Sequence, residues 1–205
     1  MDDLNAKFEQ ALYADCLRAL GELAAQMSAN GGIEQVYALS LYLDDQDDPR
    51  CRYGEFSANT EARYRQTSPD TAPRGQDHVA SSPAEARWNY AFWLQNPAVR
   101  VPDPDNQKLI DLQLAVARAS DDWYDDEEEE RGEDKVWVKM DRIDDMFWGC
   151  FARCVRRAHD QGEIARHFGR SIPVIVHCLE FGEQQERHTS AANPPDLLAD
   201  FMQEW

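Results

Sequence analysis

The chain has 205 residues, of which 42% are hydrophobic, and its formal net charge at pH 7 is −18. This apolar content is enough to bury a sizeable core, which excludes a disordered acidic protein. The charge argues against nucleic acid and anionic membrane surfaces as direct partners, and it favours either a basic protein surface or solubility alone.

The sequence carries no signal for export and no membrane span. The first residues, MDDLNAKFEQ, lack the basic and apolar regions of a signal peptide, and the longest nearly apolar stretch, IPVIVHCL, is too short to cross a bilayer. The five cysteines are an odd number and do not form the even framework of a small secreted domain. We therefore expect a cytoplasmic protein with free thiols.

The first third of the chain predicts a helix followed by a hairpin. Apolar residues recur at three- and four-residue steps over 3–29, as on one buried helical stripe, and the stripe ends at Gly31 and Gly32. Both alternating sets of residues are apolar over 33–45, which predicts a central strand buried on each face. After an Asp-rich turn, residues 51–59 alternate as the second strand of a hairpin.

The middle of the chain predicts a loop, two helices and an irregular connection. Residues 67–82 are rich in Pro, Ser and Gly, which is typical of a loop. A capping box then starts a helix that is expected to bury Trp88, Phe92 and Trp93. The three prolines within 96–105 predict irregular structure, and helical spacing of apolar residues over 109–119 leads into a run of acids.

The last third predicts one helix, one strand and a final helix. Residues 135–140 fit either a short strand or the approach to a helix, and Asp141 is the expected N-cap of the helix that follows. The continuous apolar run over 171–181 predicts a strand. Asn193 is expected to cap the final helix. That helix would bury Leu197, Leu198, Phe201 and Trp205.

Together these elements predict one α+β domain over residues 1–205. Its core would be a small, largely antiparallel β-sheet covered by helices, with a long amphipathic helix at the N-terminus and another helix at the C-terminus. Residues 67–82 form a loop insertion, and residues 121–134 form an acidic segment.

The order of these parts resembles a family of uncharacterised bacterial proteins, domain-of-unknown-function family 4303. The segments YALSLYLDD and YGEFSANTEARY are similar to its first hairpin, and EARWNYAFW is similar to its Trp-containing middle segment. The C-terminal succession of a helix, EIARHFG, a strand and RHTSAANP is the most specific part of the resemblance. Residues 68–80 and 121–134 depart from the family pattern.

Small acidic α+β families of this kind are similar to the immunity proteins of bacterial polymorphic toxin systems, including the SUKH group. The resemblance implies a non-enzymatic protein that binds and neutralises a cognate toxin. It supplies no catalytic residues. The implied partner is a basic protein toxin, and the oligomeric state is left open.

Residues 121–134 read DDWYDDEEEERGED, with ten acids against one base, Arg131, and a net charge of −9. Such a run is either a solvated helix end or loop, or a surface that attracts and steers a basic partner. Trp123 and Tyr124 favour the second interpretation if they are exposed as interface anchors, but they would serve equally to hold the segment on the core. The predicted partner-binding residues are Asp121, Asp122, Trp123, Tyr124, Asp125, Asp126, Glu127, Glu128, Glu129 and Glu130.

Other polar groups have structural interpretations. Cys150 and Cys154 share a helical face with phenylalanines, which predicts core thiols rather than a metal site. His177 and Cys178 are neighbours in a strand and point to opposite faces, so a buried, hydrogen-bonded His177 is expected. His78 and His188 are expected in polar loops.

No catalytic residue, metal or cofactor is predicted. The acidic turn over 44–49 has Pro49 where a calcium loop needs glycine, and phosphate-binding glycine loops and hydrolase motifs are absent from the sequence. Two alternatives to toxin binding stay open. One is an enzyme with a site assembled from distant His and carboxylate residues, and the other is a general acidic interaction module.

Overall fold

One four-stranded sheet organises the part of the chain described by the computed structural model, residues 2–44, 48–179 and 181–203. The strands are β1 (Val36–Leu43), β2 (Gly54–Thr60), β3 (Ala98–Val101) and β4 (Val174–His177), in the order β3-β2-β1-β4. The helices are α1 (Asp2–Ala29), α2 (Glu61–Thr67), α3 (Pro83–Trp88), α4 (Gln107–Ala119), α5 (Asp126–Arg131), α6 (Asp134–Asp160), α7 (Glu163–Phe168), α8 (Glu183–Ala192) and α9 (Ala199–Met202).

The predicted α+β class and the β1–β2 hairpin are confirmed, but the sheet is mixed. Strand β1 pairs antiparallel with β2 and parallel with β4, while β2 and β3 are antiparallel. The parallel pair arises because β1 and β4 are separated by a long connection that contains α4 and α6, which can return the chain to run in the same direction. As predicted, β1 is a central strand, and nearly all of it is buried.

The two faces of the sheet are covered by different helices. On one face, Leu39 and Leu41 of β1 join a large apolar cluster with residues from α1, α4 and α6. On the other face, Tyr37 packs with Trp88, Trp93 and Phe201, which come from α3, the turn after it and α9. The sheet is therefore buried on both sides, although only one side is covered by long helices.

Helix α1 confirms the predicted N-terminal stripe. Its residues Phe8, Leu12, Leu20 and Leu23 are all buried, and Phe8 meets Phe147 of α6 edge to face with ring centres 5.6 Å apart. An amphipathic helix of this length gains most of its stability from packing its apolar face, at about 25 cal/mol for each Å² of apolar surface removed from water.

Helix α6 begins about two turns earlier than predicted, since its N-cap is Glu133 and not Asp141. Its first residue is Asp134, with Glu133 at the N-cap position, so residues 135–140 are helical. Asp141 is therefore an exposed residue inside the helix and not its N-cap. The β-branched residues of KVWVKM did not prevent helix formation because Val136 packs into the core.

Residues 96–105 contain strand β3 instead of being wholly irregular. Val99 and Val101 are buried while Ala98 and Arg100 are exposed, which is the alternation of an edge strand with one face on the core. The loop predicted over 67–82 is confirmed from residue 68 onward, between α2 and α3.

The C-terminal region differs most from the prediction. Residues 183–192 form α8, and Asn193 follows its last residue instead of capping a new helix. A 3-10 turn over Pro195–Leu198 then leads into the short helix α9. Leu198 and Phe201 are buried as expected, whereas Trp205 lies outside the described residues.

Candidate functional site

The acidic segment folds as a short helix with well-formed ends. The Asp125 side chain accepts a hydrogen bond from the Glu128 backbone N–H at 2.8 Å, and the Glu128 carboxylate accepts one from the Asp125 N–H at 3.3 Å. This capping box starts α5, and Gly132, with a φ of 63°, ends it in the left-handed conformation that favours glycine. Acids in the first turn also interact favourably with the helix dipole.

Arg50 fixes this helix to the body of the protein. Its guanidinium pairs with Asp126 at 2.8 Å and with Glu129 at 3.1 Å, and it also contacts Asp48 at 2.9 Å. The same group lies 4.7 Å from the centre of the Tyr124 ring. Because Arg50 is mostly buried, these contacts are less screened by water than ordinary surface ion pairs.

Two bases of α6 neutralise further acids of the segment. Lys139 donates to the Glu128 carboxylate at 3.2 Å and to the carbonyl of Trp123 at 3.0 Å. Arg142 donates to Asp122 at 3.1 Å. Asp122, Asp126, Glu128 and Glu129 are therefore matched by bases of the chain itself, and part of the predicted binding surface serves to hold α5 in place.

Tyr124 is among the predicted partner-binding residues, with a role as a core anchor left open, and the structure shows the core anchor. Tyr124 is 0% exposed and belongs to the main core cluster, and Trp123 is half-buried against the same cluster. Burial raises the pKa of the Tyr124 hydroxyl, which stays neutral. The physical reason is that a self-repelling acidic run needs apolar anchors to remain on the surface, and these two rings provide them.

The remaining carboxylates face water. Asp121, Asp125, Glu127 and Glu130 are exposed, and no ion pair involves them within the described parts of the chain. The segment therefore keeps an outward field, although about half of its charge is compensated.

An exposed tryptophan that the sequence analysis did not identify as a site residue lies on α6, the next helix of the chain. Trp137 is 57% exposed and Val138 is 47% exposed, near the start of α6. Asp134 and Asp141 lie one turn before and one turn after them on the same helix face. The helical spacing of the sequence could have identified this exposed pair. If Val136 and Ile143 face the core, Trp137 and Val138 must face outward.

The face of α6 that carries Trp137 is covered further along the helix. Asp145 accepts hydrogen bonds from Arg187 at 2.5 Å and from His188 at 2.8 Å, both on α8. Trp148 is buried, with its ring 5.6 Å from that of His188. The helix therefore has an apolar face that α8 covers from about Asp145 onward and leaves open around Trp137.

Of the three described histidines that are buried, His159, His177 and His188, two bear on the sequence predictions. His177 is buried as predicted, with Nδ1 donating to the Cys178 carbonyl at 2.8 Å and Nε2 lying 2.7 Å from the Ser40 hydroxyl. Burial lowers the pKa of His177 to about 4, so the ring is neutral at pH 7. His188 lies in α8 and is buried, which corrects the prediction of a polar loop.

The Ser40 hydroxyl and the His177 ring are hydrogen-bonded like a nucleophile and its general base, but a substrate has no access to them. Ser40 is 0% exposed and lies in the centre of the sheet. The cavity beside His177 is lined by Tyr90 and other aromatic residues and has a volume of about 80 Å³. A substrate carbonyl cannot reach the Ser40 oxygen there, so the pair is structural.

The cysteines of α6 lie in the core. Cys150 and Cys154 are buried on the face of α6 that packs on α1, where both sulfurs approach Glu9. Among the described residues, no group of three or more His, Cys, Asp and Glu side chains is arranged to hold a metal ion. Of the acidic turn, residues 45–47 lie outside the described residues, and Asp48 caps a 3-10 turn.

The chain matches no family model, no curated protein and no solved structure. The resemblance to the bacterial family and to immunity proteins therefore stays a prediction. Within residues 2–44, 48–179 and 181–203, no helix combines the length and the apolar character needed to cross a membrane.

Proposed function

We propose that the protein is a non-enzymatic binding protein that docks a basic protein surface on the acidic face around Trp137. This acidic face consists of Trp137, Val138, Asp134 and Asp141 of α6. The observation that carries the proposal is the 57% exposure of Trp137 among acids that no described base neutralises. Trp is among the residues that contribute most to measured binding energies.

The two kinds of residue would contribute differently to binding. Covering the exposed part of Trp137 removes apolar surface from water, which favours association by about 3 kcal/mol. The carboxylates act over a longer range, because they attract a basic partner and orient it before contact. The partner that fits is a basic protein with an apolar hollow surrounded by Arg and Lys.

We infer that the role of this binding is inhibition, as in an immunity protein that neutralises a cognate basic toxin. If the toxin acts on nucleic acid, its active site attracts phosphates, and the carboxylates of the acidic face would occupy the same positive surface. The inaccessibility of the Ser40–His177 pair supports binding over hydrolysis as the activity.

The direct experiment measures binding to the product of a neighbouring gene that encodes a secreted protein with a basic C-terminal domain. We expect W137S to weaken binding at least about tenfold, because truncation of a central aromatic commonly costs more than 1.4 kcal/mol. The matched control is L179S, which removes another exposed apolar residue, 66% exposed and two residues after the end of β4. Equal affinity of W137S and the unmodified protein would contradict the proposal.

A second experiment separates steering from contact. The D134N/D141N variant should lower the association rate at low salt and leave the dissociation rate nearly unchanged, with the difference fading at high salt. D70N/D77N, in the exposed loop before α3, removes the same charge elsewhere and should have a smaller effect. These acids are better targets than Asp122 and Asp126, whose neutralisation would also release α5 from its internal partners.

A further inference from the structure

The open face around Trp137 continues an interface that α6 already makes with α8. Along α6, Trp148, Ala152 and Val155 follow one another at steps of four and three residues, and all three are buried. Helical periodicity places Trp137 on the same stripe, about three turns before Trp148, yet Trp137 is 57% exposed. One face of a single helix is therefore covered in its second half and open in its first half.

Helix α8 runs in the same direction as α6 along the covered half. His188 of α8 contacts Asp145 at 2.8 Å, and Asn193, just after the end of α8, contacts His159 at 3.2 Å. The uncovered part of α6, from Asp134 to Asp145, is about 16 Å long at a rise of 1.5 Å per residue. A second helix of about the length of α8, which has 10 residues, would span it.

An open hollow lies where α8 begins and the uncovered part of α6 ends. Its volume is about 390 Å³, and the residues that line it are Asp141, Asp144, Asp145, Gln184 and Arg187. The Asp144 carboxylate pairs with Arg52, and that of Asp145 pairs with Arg187. Among the described residues, Asp141 has no ion pair. The hollow therefore leaves room for the end of a second helix in line with α8.

The charges along the open face favour a basic occupant. Asp134 and Asp141 are exposed on either side of Trp137, and neither has an ion pair within the described parts of the chain. The bases in this half of α6 each pair with an acid of the chain itself, and they are Lys135, Lys139 and Arg142. At about 100° per residue, these three bases point about 140° or more away from Trp137. The uncompensated charge beside Trp137 is therefore negative.

The shape of the open face favours a helix as the occupant. Side chains three and four residues apart form ridges along a helix, and the grooves between them accept the ridges of another helix. We propose that the partner presents an amphipathic helix that lies in line with α8, with its apolar stripe on Trp137 and Val138. Lys and Arg side chains beside that stripe pair with Asp134 and Asp141. This inference rests on the proposed function, because it specifies what the basic partner places on the acidic face.

Three fluorescein-labelled peptides test the chemistry of the occupant. Each has about 14 residues and a lactam bridge, since short helices without a bridge are marginally stable in water. The first carries leucines on one helical face with lysines beside them, the second has the same composition with the leucines distributed around the helix, and the third has glutamate in place of each lysine. Fluorescence anisotropy at physiological salt should show the first binding at least about tenfold more tightly than the others. Equal binding of the first two would show that charge alone is recognised, which would overturn the helix and leave the docking of a basic surface intact.

Variants locate the bound helix. W137S should weaken binding of the first peptide at least about tenfold. Q184W fills the hollow at the start of α8 and should weaken binding similarly, whereas S190W adds the same side chain at an exposed position further along α8 and should leave the affinity unchanged. Thermal unfolding shows that the variants are folded. Equal affinity of Q184W and S190W would mean that the peptide does not lie in line with α8, and the proposal would be wrong.

Paramagnetic NMR measures the direction of the bound helix. A nitroxide at one end of the first peptide should broaden the backbone amide signal of Gln184, and a nitroxide at the opposite end should broaden that of Asp134. Equal broadening of both signals from either end would show a peptide lying across α6 and would contradict the proposal. If no peptide binds while W137S still weakens binding to the cognate toxin, the helical form of the partner is wrong and the docking of a basic surface stands.

Discussion

The side chain of Asn193 takes the place of a neighbouring strand beside Val174 of β4. Its Nδ2 donates to the Val174 carbonyl at 2.8 Å, and its Oδ1 accepts from the Val174 N–H at 2.8 Å. One turn earlier in α8, the Thr189 hydroxyl accepts from the Val176 N–H at 3.0 Å and donates to its carbonyl at 2.9 Å. Two side chains thus satisfy the outer edge of the sheet, which would otherwise be open to pairing.

Loss of the hydrogen bonds that these two side chains make to β4 should destabilise the protein strongly. N193A leaves the N–H and carbonyl of Val174 and the carbonyl of Thr189 buried without their partner, and each such group costs about 1–3 kcal/mol. We expect urea unfolding to show a loss of about 3 kcal/mol or more. T189V should lose about 1–2 kcal/mol, whereas T189S keeps the hydroxyl and should lose less. Equal stability of T189V and T189S would contradict this role.

A second prediction concerns the pH dependence of stability. Burial lowers the pKa of His177 from 6.5 to about 4 in the folded state. The unfolded chain therefore binds a proton in this range that the folded protein does not, and His177 contributes stability that is complete above pH 6.5 and is lost as pH falls towards 4. The loss amounts to about 3 kcal/mol.

The comparison with H177N isolates that contribution. Acidification also changes the repulsion among the many carboxylates, but this change is common to both proteins. The difference in unfolding free energy between the unmodified protein and H177N should therefore shrink as pH falls from 7 to 4. Burial lowers the pKa of His159 as well, so H177N should keep part of the pH dependence. A difference that stays constant with pH would refute the assignment.

Periodic apolar patterns were sufficient to predict the elements that bury large side chains. Helix α1, the β1–β2 hairpin and strand β4 each show such a pattern and were found near the predicted positions. Helix α8 was missed because its buried face consists of His188, Thr189 and Ala192, which give no apolar period. Its function is to satisfy the polar edge of β4, a requirement that the sequence of α8 alone does not reveal.

The candidate site was predicted only in part for a similar reason. The charge of residues 121–134 indicated an acidic surface, and the structure describes exposed acids there. The sequence left open whether Trp123 and Tyr124 face solvent or the core, because that depends on Arg50, about 70 residues away in the chain. The exposure of Trp137 depends on two features that the sequence does not show: the residue at which α6 begins, and the point along α6 beyond which α8 no longer packs against it.

A third prediction tests the role of Arg50 as the anchor of α5. R50A removes the partners of Asp126, Glu129 and Asp48 at once and leaves their charges to repel one another. Hydrogen exchange of the backbone over 121–131 should become much faster, with a loss of about 1–3 kcal/mol in the free energy of unfolding. R50K keeps the charge but not the three-way pairing and should be intermediate. R131A is the control for loss of an exposed base, and slow exchange in R50A would contradict the anchor role.

A fourth prediction concerns the buried ion pair between Arg52 and Asp144. Arg52 is 3% exposed, and its Nε and Nη1 have no hydrogen-bond partner among the described residues. D144A should therefore cost about 3–5 kcal/mol, because a guanidinium cannot lose its proton and would remain buried and uncompensated. R52M should cost less, since burial already raises the pKa of Asp144 despite the opposing charge of Arg52, and the orphaned carboxyl can become neutral.

The pH dependence of the two variants provides the test. For a buried carboxyl with a raised pKa, the folded state binds the proton more readily than the unfolded chain, so its cost falls as pH is lowered. The destabilisation of R52M should accordingly be smaller at pH 5 than at pH 8, whereas that of D144A should not decrease in this way. If R52M were as costly as D144A at pH 5, the carboxyl would have stayed charged without its partner, and the proposed asymmetry of the pair would be wrong.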